Sequence, residues 1–409
     1  MKNLILPLIL IVMLCTSGCR STALPQRREI NDLLLIEVMG VDKSTEERDN
    51  QIITIASRRL DQSETGQTQQ DGSDGSGGER KTGPGGKALI ATAEGKTLFD
   101  AARNIQNNTD KSLFWAHTKY LLIGEEAARD NIAKYTDFIT REHELQLNIL
   151  VFVVKGMTAK ELIMQFNQSE FYIADKLDNL IRSSKLLGTS GELNIAELMR
   201  FFDIHFGSAR IPCIQLIYQD SDKGQKIPDI ASNGYAIVAD LKLVSYIERD
   251  ISRGVNLISN NLESSIVTVK DLNGKSASLE IIMSNTEAVP HFKGDVLEEV
   301  TLKAEVISNL GEVQSQVSSM YDENIKYMES QQSAILKNEM RRVIEIAKES
   351  ESDCLGICDM IRLKSPVKWH RIEDQWKEIM QYLKISVEVE SKVRRSYELD
   401  EPSAYKGMK

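Results

Sequence analysis

Apolar residues in the first half of the chain occur in short continuous runs, and segments with apolar residues three and four positions apart lie between these runs. Runs of this length are typical of buried strands, whereas the three-and-four spacing predicts amphipathic helices. The predicted strands cover residues 33–41, 52–60, 88–93, 120–123, 147–154 and 211–218. The predicted helices cover residues 97–105, 125–139, 158–166, 170–187 and 194–202. This alternation of strands and helices predicts a mixed α/β domain.

The pattern changes after residues 219–229, a polar segment with glycine and proline that we interpret as a linker. Beyond it, predicted strands come first and predicted helices follow, which favours an α+β domain. The Leu-Asn-Gly sequence at residues 272–274 predicts a hairpin turn between two of these strands. The strands cover residues 234–239, 264–270, 278–284, 300–307 and 384–389, and the helices cover residues 321–350 and 370–382.

The first residues, MKNLILPLILIVMLCTSGC, differ from the rest of the chain. An apolar run at residues 4–14 follows Lys2 and would span about 16 Å as a helix, short of the roughly 30 Å core of a bilayer. We therefore interpret it as the apolar region of a signal peptide. Residues 16–19 (TSGC) resemble a bacterial lipobox, with Thr16 in place of the usual aliphatic residue, so Cys19 is the predicted lipidation site. The alternative is an ordinary secretory signal that is cut elsewhere and leaves Cys19 unmodified.

The predicted fold class is α+β: a multi-domain, mixed α/β ectodomain of strand-plus-helix domains, preceded by a cleaved lipoprotein signal peptide. Residues 61–87 contain no apolar residue and cannot cover a core, so we interpret them as a mobile, Gly-rich hairpin insertion. Whether the N-terminal domain is one unit or two subdomains stays open. The predicted parts are a signal peptide (1–18), an N-terminal domain (19–218), a linker (219–229), a C-terminal domain (230–396) and a tail (397–409).

The amino-acid composition excludes some classes of binding partner for this chain. Apolar residues make up 41% of the chain and charged residues 27%, which is ordinary for a globular protein. Lys and Arg number 50 against 60 Asp and Glu, a formal net charge of −10. Such a chain is not built to coat nucleic acid or an anionic bilayer by charge, and we expect no nucleic-acid partner. Five cysteines in 409 residues exclude a small disulfide-stapled scaffold.

A search for catalytic motifs returns only incomplete ones. The His-Glu pair at residues 143–144 begins like a zinc-protease motif, but Leu147 stands where the second histidine is needed. Residues 188–191 (GTSG) are one residue short of a nucleophile elbow. Residues 83–87 (GPGGK) lack the first glycine and the final Ser or Thr of a phosphate-binding loop. We therefore predict no catalytic residues, no metal ligands and no cofactor.

The remaining cysteines and the tryptophans could have either a binding role or a structural one. Cys354 and Cys358 could form half a metal site or a local disulfide, but no second Cys pair exists, and we favour buried apolar thiols. Cys213 lies within an apolar strand and is predicted to belong to the core. The tryptophans could mark a ligand groove, although core anchors are the better interpretation because each adjoins predicted regular structure: Trp115, Trp369 and Trp376.

Several motifs follow one another along the chain: RREINDL and MGVDK come shortly after the lipobox, and a D-x-x-G stretch lies ahead of two tryptophans near the C-terminus. Taken in order, these motifs resemble the Ger(x)C family of spore germination lipoproteins, the C subunits of nutrient germinant receptors. Ile357 and Cys358 replace the Phe-Gly usual in the family, and Arg20 stands where a tryptophan is common. The matching segments are residues 27–33, 39–43, 95–101, 115–117, 122–126, 141–145, 353–356, 366–369 and 376.

This resemblance implies a mixed α/β, multi-domain, non-enzymatic subunit with no known cofactor. It would be held by its N-terminal lipid on the outer face of the spore inner membrane. There it would act, by protein–protein contacts, with a polytopic A subunit and a transporter-like B subunit. Two alternatives stay open. A lipid-anchored solute-binding protein would capture a nutrient itself, in a pocket between two domains of related topology, and an envelope hydrolase would need a site assembled from distant residues.

Overall fold

The computed structural model describes residues 32–47, 49–58, 88–107, 109–169, 171–220, 224–314 and 322–394. Several predictions fall on other residues: the signal peptide with Cys19, the insertion at 61–87 with its glycine-rich GPGGK sequence, and the tail at 397–409. These predictions lie outside the described residues.

The elements are numbered in chain order. The strands are β1 (Leu33–Lys43), β2 (Gln51–Arg58), β3 (Ala88–Gly95), β4 (Ser112–Phe114), β5 (Tyr120–Gly124), β6 (Leu150–Val154), β7 (Ala209–Asp220), β8 (Lys226–Ala239), β9 (Lys242–Ile247), β10 (Ser265–Lys270), β11 (Ser276–Lys293), β12 (Val296–Val313) and β13 (Lys384–Arg394). The α-helices are α1 (Leu98–Asn107), α2 (Glu125–Arg141), α3 (Ala159–Phe166), α4 (Ile173–Leu187), α5 (Ile195–Ile204), α6 (Ser252–Ile258), α7 (Asp322–Glu349), α8 (Ile357–Lys364), α9 (Pro366–Trp369) and α10 (Trp376–Tyr382).

The larger sheet has the strand order β3-β2-β1-β5-β6-β7-β8-β9, with β4 pairing with the start of β1. Its central strands β1, β5, β6 and β7 run parallel, and the outer strands on both sides are antiparallel. Apolar side chains of α1, α2 and α5 pack on one face, and those of α3 and α4 pack on the other. Because helices cover both faces, β5 is buried at every residue, as its unbroken apolar sequence predicts. The predicted mixed α/β fold is confirmed.

The smaller sheet has the strand order β10-β11-β12-β13, in which β13 runs parallel to β12 and the other pairs are antiparallel. The predicted turn at residues 272–274 joins β10 to β11. The long helix α7 packs across this sheet and bonds to the backbone of both edge strands. On β10, the amide of Gln331 accepts from Lys270 N at 3.2 Å and donates to Lys270 O at 2.6 Å. On β13, Ser391 N donates to Ser333 Oγ, and Val393 N donates to Glu329 Oε1.

The predicted linker at 219–229 differs from what the structure shows. Residues up to Asp220 belong to β7 and residues from Lys226 onward belong to β8, and the two strands pair antiparallel as far as Asp220 and Lys226. This end of the hairpin is largely exposed, so its residues are polar on both faces and lack the alternation that marks a strand. Strands β11 and β12 also extend well beyond the segments predicted at 278–284 and 300–307.

A buried carboxylate holds helix α3 against the central strands. Asp42, at the end of β1, accepts hydrogen bonds from Ala159 N at 2.7 Å and Lys160 N at 2.9 Å. Burial raises the pKa of Asp42 to about 6, in opposition to these two hydrogen bonds. Gly124 passes so close that a Cβ atom at this position would overlap Asp42 Oδ1, although its backbone angles are ordinary. Glycine is therefore needed here for the close approach alone.

We expect Gly124→Ala to lower the free energy of unfolding by about 2–4 kcal/mol, because the added methyl group must displace Asp42 and weaken the cap on α3. Equilibrium unfolding in urea measures the change. Gly311→Ala is the matched control, since its added Cβ would meet only Ser278 O, at 3.5 Å. Losses of equal size in the two variants would contradict this account of Gly124.

Candidate functional site

The two halves of the chain meet at a polar junction, which we define as residues His205, Arg210, Ser352, Asp353 and Asp359. His205 directly follows helix α5, and Arg210 lies on strand β7. Ser352 and Asp353 lie between α7 and α8, and Asp359 lies on α8. Two hydrogen bonds join the larger sheet to the segment between α7 and α8. Ser352 Oγ donates to Val238 O on β8 at 2.6 Å, and Arg210 Nη1 donates to Cys354 O at 2.8 Å. These bonds join the larger sheet to the start of α8.

Asp353 is the centre of the junction and is 4% exposed. Its carboxylate accepts from Ile357 N and Cys358 N, both at 2.8 Å, and from Trp376 Nε1 at 3.0 Å. The first two bonds satisfy free N–H groups in the first turn of α8, and the third fixes the start of α10. One side chain therefore orients two helices.

Gly356 completes the D-x-x-G turn that leads into α8. It adopts a left-handed conformation with φ of 73°, which glycine accepts without steric cost. A Cβ at this position would also lie only 3.1 Å from the ring of His205. The turn thus allows α8 to begin directly against α5.

His205 connects the halves a second time. It is 2% exposed, stacks on Phe201 with ring centroids 4.9 Å apart, and donates from Nε2 to Asp359 Oδ2 at 3.1 Å. Arg362 Nη2 lies 2.7 Å from the other oxygen of Asp359, and Arg200 Nη1 lies 3.6 Å away from Oδ2. Burial opposes ionisation of Asp359, but the hydrogen bonds from His205 and Arg362 outweigh it and hold its pKa below the ordinary value.

A cleft of about 290 Å³ opens beside the junction, between α5 and β7 on one side and α8 on the other. Junction residues His205, Arg210 and Asp359 line it together with exposed parts of both halves. The other charged residues of its wall are Glu192, Glu197 and Arg200. The cleft is therefore polar and carries both signs of charge.

The cysteines of this segment are buried free thiols. Cys354 is 0% exposed and Cys358 is 1% exposed. Burial raises the pKa of Cys354 to about 12 and raises that of Cys358 as well, so both are protonated at neutral pH. Across the residues that the structure describes, no group of three or more His, Cys, Asp or Glu side chains could hold a metal ion. These thiols pack as apolar side chains, which was the favoured interpretation of the pair.

The other sequence candidates occupy structural positions. His143 is an exposed surface residue beside Glu142, and Gly188 ends α4 in a left-handed conformation. The tryptophans are buried in the two main cores, and Trp369 packs against Trp376 with centroids 5.1 Å apart. Their interpretation as core anchors is confirmed.

The carboxyl ends of the parallel strands, where open α/β sheets commonly bind ligands, are filled by the protein itself. Asp42 accepts the N–H groups at the start of α3, as described above. Beside it, Glu125 accepts from Gly156 N at 2.5 Å and pairs with Arg129 at 2.6 Å. Backbone donors that could bind an anionic ligand here are therefore used by internal carboxylates.

Sequence patterns did not identify His205 or Arg210 as site residues. Their partners lie 154 and 144 residues away in the chain, so no local motif contains both. The signal that could have found Arg210 is its charge within the otherwise apolar start of β7, because a buried cation requires a partner. Cys19, the predicted lipidation site, lies outside the described residues. Among those residues, no helix is long and apolar enough to cross a membrane.

Comparison with protein families identifies two adjoining domains. Residues 26–216 match the spore germination protein N-terminal domain, and residues 233–397 match the spore germination B3/GerAC-like C-terminal domain. The two matches follow each other in order and together cover most of the chain.

Individual proteins match over nearly their whole length. Spore germination protein KC of Bacillus subtilis is 21% identical over 412 residues, which cover 97% of this chain and 96% of that protein. The putative spore germination protein YfkR of the same organism is 20% identical, with 94% and 93% covered. The crystal structure of the GerBC protein superposes with a TM-score of 0.53 at 16% identity, covering 87% of this chain and 96% of that one. The last likeness shows a shared fold.

We expect Asp353→Ala to lower the free energy of unfolding by about 3–5 kcal/mol, because three buried N–H donors lose their hydrogen-bond acceptor. Trp376→Phe removes one donor and keeps most of the packing, so about 1–2 kcal/mol is expected. Asp295→Ala is the control, because that carboxylate is 63% exposed in its pair with Arg371. Urea unfolding of the three variants tests the order, and an Asp353→Ala loss no larger than that of Asp295→Ala would refute the central role of Asp353.

Proposed function

The chain belongs to the GerAC family of spore germination proteins, and we propose that it is a lipid-anchored, non-enzymatic C subunit of a nutrient germinant receptor. The observation that carries this proposal is the family match itself. Both domain models match in order, over residues 26–216 and 233–397, and whole-length relatives share the arrangement. The proposed work of the subunit is done by protein–protein surfaces.

We propose that its partners are a polytopic A subunit and a transporter-like B subunit, on the outer face of the spore inner membrane. The resemblance of its motifs to receptor C subunits motivates these partners. Exposed apolar side chains on the C-terminal half would suit such contacts. Leu363 on α8 is 77% exposed and Val367 on α9 is 71% exposed, and both lie on short helices beside the junction.

The proposed attachment is a diacylglycerol group on Cys19 with further acylation of the new N-terminus. Two acyl chains anchor a protein stably, because each buried methylene contributes about 0.8 kcal/mol. Residues 20–32 separate Cys19 from β1 and could span at most about 45 Å. This reach would keep the body close to the membrane subunits.

The rival functions are less well supported by the described residues. A solute-binding protein would need two lobes of related topology around its ligand, whereas one sheet here is mixed with a parallel centre and the other is a four-stranded sheet with one parallel pair. An envelope hydrolase would need an activated nucleophile. The cysteines within the described residues are buried, and burial raises the pKa of each of them: Cys213, Cys354 and Cys358.

The proposal is tested by Cys19→Ala in the full chain, expressed in spores that lack the native copy. We expect the variant to move from the membrane fraction to the soluble fraction, with at least about a tenfold loss of membrane-bound protein, because the acyl anchor is absent. Nutrient-triggered germination, followed as loss of optical density, should fall with it. Cys15→Ala is the matched control, since Cys15 belongs to the same signal sequence but is not the predicted lipid site.

If Cys19→Ala stays in the membrane fraction as the wild type does, the proposed lipid anchor at Cys19 is contradicted. Partner contacts are tested separately, by co-purification of the wild-type chain with the A and B subunits from detergent-solubilised membranes. If neither subunit co-purifies with the chain at salt concentrations that keep it folded, the proposed receptor role is contradicted. This conclusion does not depend on the result of the Cys19→Ala experiment.

A further inference from the structure

Arg210 is a buried cation that has no counter-ion among the residues described by the structure. It is 9% exposed and lies on β7 beside the cleft of about 290 Å³. Within the part of the chain that the structure describes, its contacts are one hydrogen bond to Cys354 O and the ring of Phe201, whose centroid lies 5.4 Å from the guanidinium carbon. It forms no ion pair there. Buried charges are ordinarily paired, because burial removes the water that stabilises them.

A second buried side chain at the same wall has only some of its polar atoms bonded within the described part of the chain. His205 lines the cleft and is 2% exposed, and its Nδ1 atom has no hydrogen-bond partner among the described residues. Such groups in a native structure call for a ligand, a water or an ion that is not drawn. Among the described residues, an Arg side chain without an ion pair and a His side chain with one unpartnered ring nitrogen therefore line the same cleft.

The acidic residues of the cleft are already engaged. Asp359 is shared by His205, Arg362 and Arg200. Glu197 accepts from Asn194 N at 3.1 Å in the capping box of α5, and Glu192 pairs with Lys185 at 3.0 Å. These bonds occupy the three carboxylates, and none of the three pairs with Arg210 in the described part of the chain.

We propose that the cleft binds a small monocarboxylate, whose oxygens pair with Arg210 on the inner wall and reach Arg200 at the rim. A guanidinium is suited to a carboxylate because its planar N–H donors match the two oxygens. A monoanion is preferred over phosphate because Glu192, Glu197 and Asp359 line the same cleft and repel a dianion. The cleft has room for an acid of a few carbons, since a liquid water occupies about 30 Å³.

The test uses the purified protein and follows thermal unfolding in sodium propionate, sodium phosphate or sodium chloride at matched ionic strength. We expect 50 mM propionate to raise the midpoint by about 2–4 °C over chloride, with a smaller rise in phosphate. Isothermal titration of propionate gives a direct second measurement.

Arg210→Met keeps the length and the apolar stem of the side chain but removes the charge. Its midpoint in chloride should be lower than that of the wild type, because Cys354 O loses its donor, and it should lose the response to propionate. Arg200→Gln, at a position where the side chain is 52% exposed, folds without difficulty and should bind propionate at least about fivefold more weakly. Arg371→Met, remote from the cleft, is the control and should respond like the wild type.

A carboxylate can come from a free acid or from a side chain of a partner protein, and a second arm separates these sources. Protection by propionate in the purified chain and also in the detergent-solubilised receptor assigns the cleft to a free acid. Protection in the purified chain alone assigns it to a partner's carboxylate. No protection by propionate beyond chloride in the purified wild type, or equal protection in Arg210→Met, would overturn the proposal.

Discussion

The arrangement of the two halves depends on one buried carboxylate. Inside a protein, a carboxylate is stable only where donors replace the water it has lost, and Asp353 obtains three of them from the first turn of α8 and from the indole of Trp376. Because these donors belong to two helices, Asp353 sets the position of both. The contacts of Arg210 with Cys354 and of His205 with Asp359 are possible only while α8 begins at this place. The cleft beside them has its shape for the same reason.

Sequence patterns predicted the periodic parts of the fold and failed where polar residues continue a strand. The strands β1 and β5 and the helix α7 were predicted nearly to their ends, since each presents an apolar face to a core. The projecting end of the β7–β8 hairpin resembled a linker, because exposure on both faces removes the period-two signal. The junction could be predicted only in part. Asp353, Gly356 and Trp376 were singled out by family resemblance, whereas His205 and Arg210 became visible only when folding brought distant segments together.

In the described part of the chain, several side chains bond to backbone groups at the edges and ends of strands. Side chains of α7 bond to the outer backbone of both edge strands of the smaller sheet, and Asn260 does the same for Thr286 where β10 has ended. At the carboxyl ends of the parallel strands, carboxylates accept hydrogen bonds from the nearby backbone N–H groups. Edge strands treated in this way do not recruit further strands, which protects the protein from edge-to-edge association. Partner recognition would then rest on side-chain surfaces.

Strand β8 serves both halves at once. Tyr235 and Ile237 on one face belong to the core of the C-terminal half, and Ala236 and Val238 on the other face belong to the core of the larger sheet. The family domains, which end at residue 216 and begin again at residue 233, thus divide within the hairpin of β7 and β8. A displacement of one half relative to the other would therefore have to expose one of the two buried faces of β8.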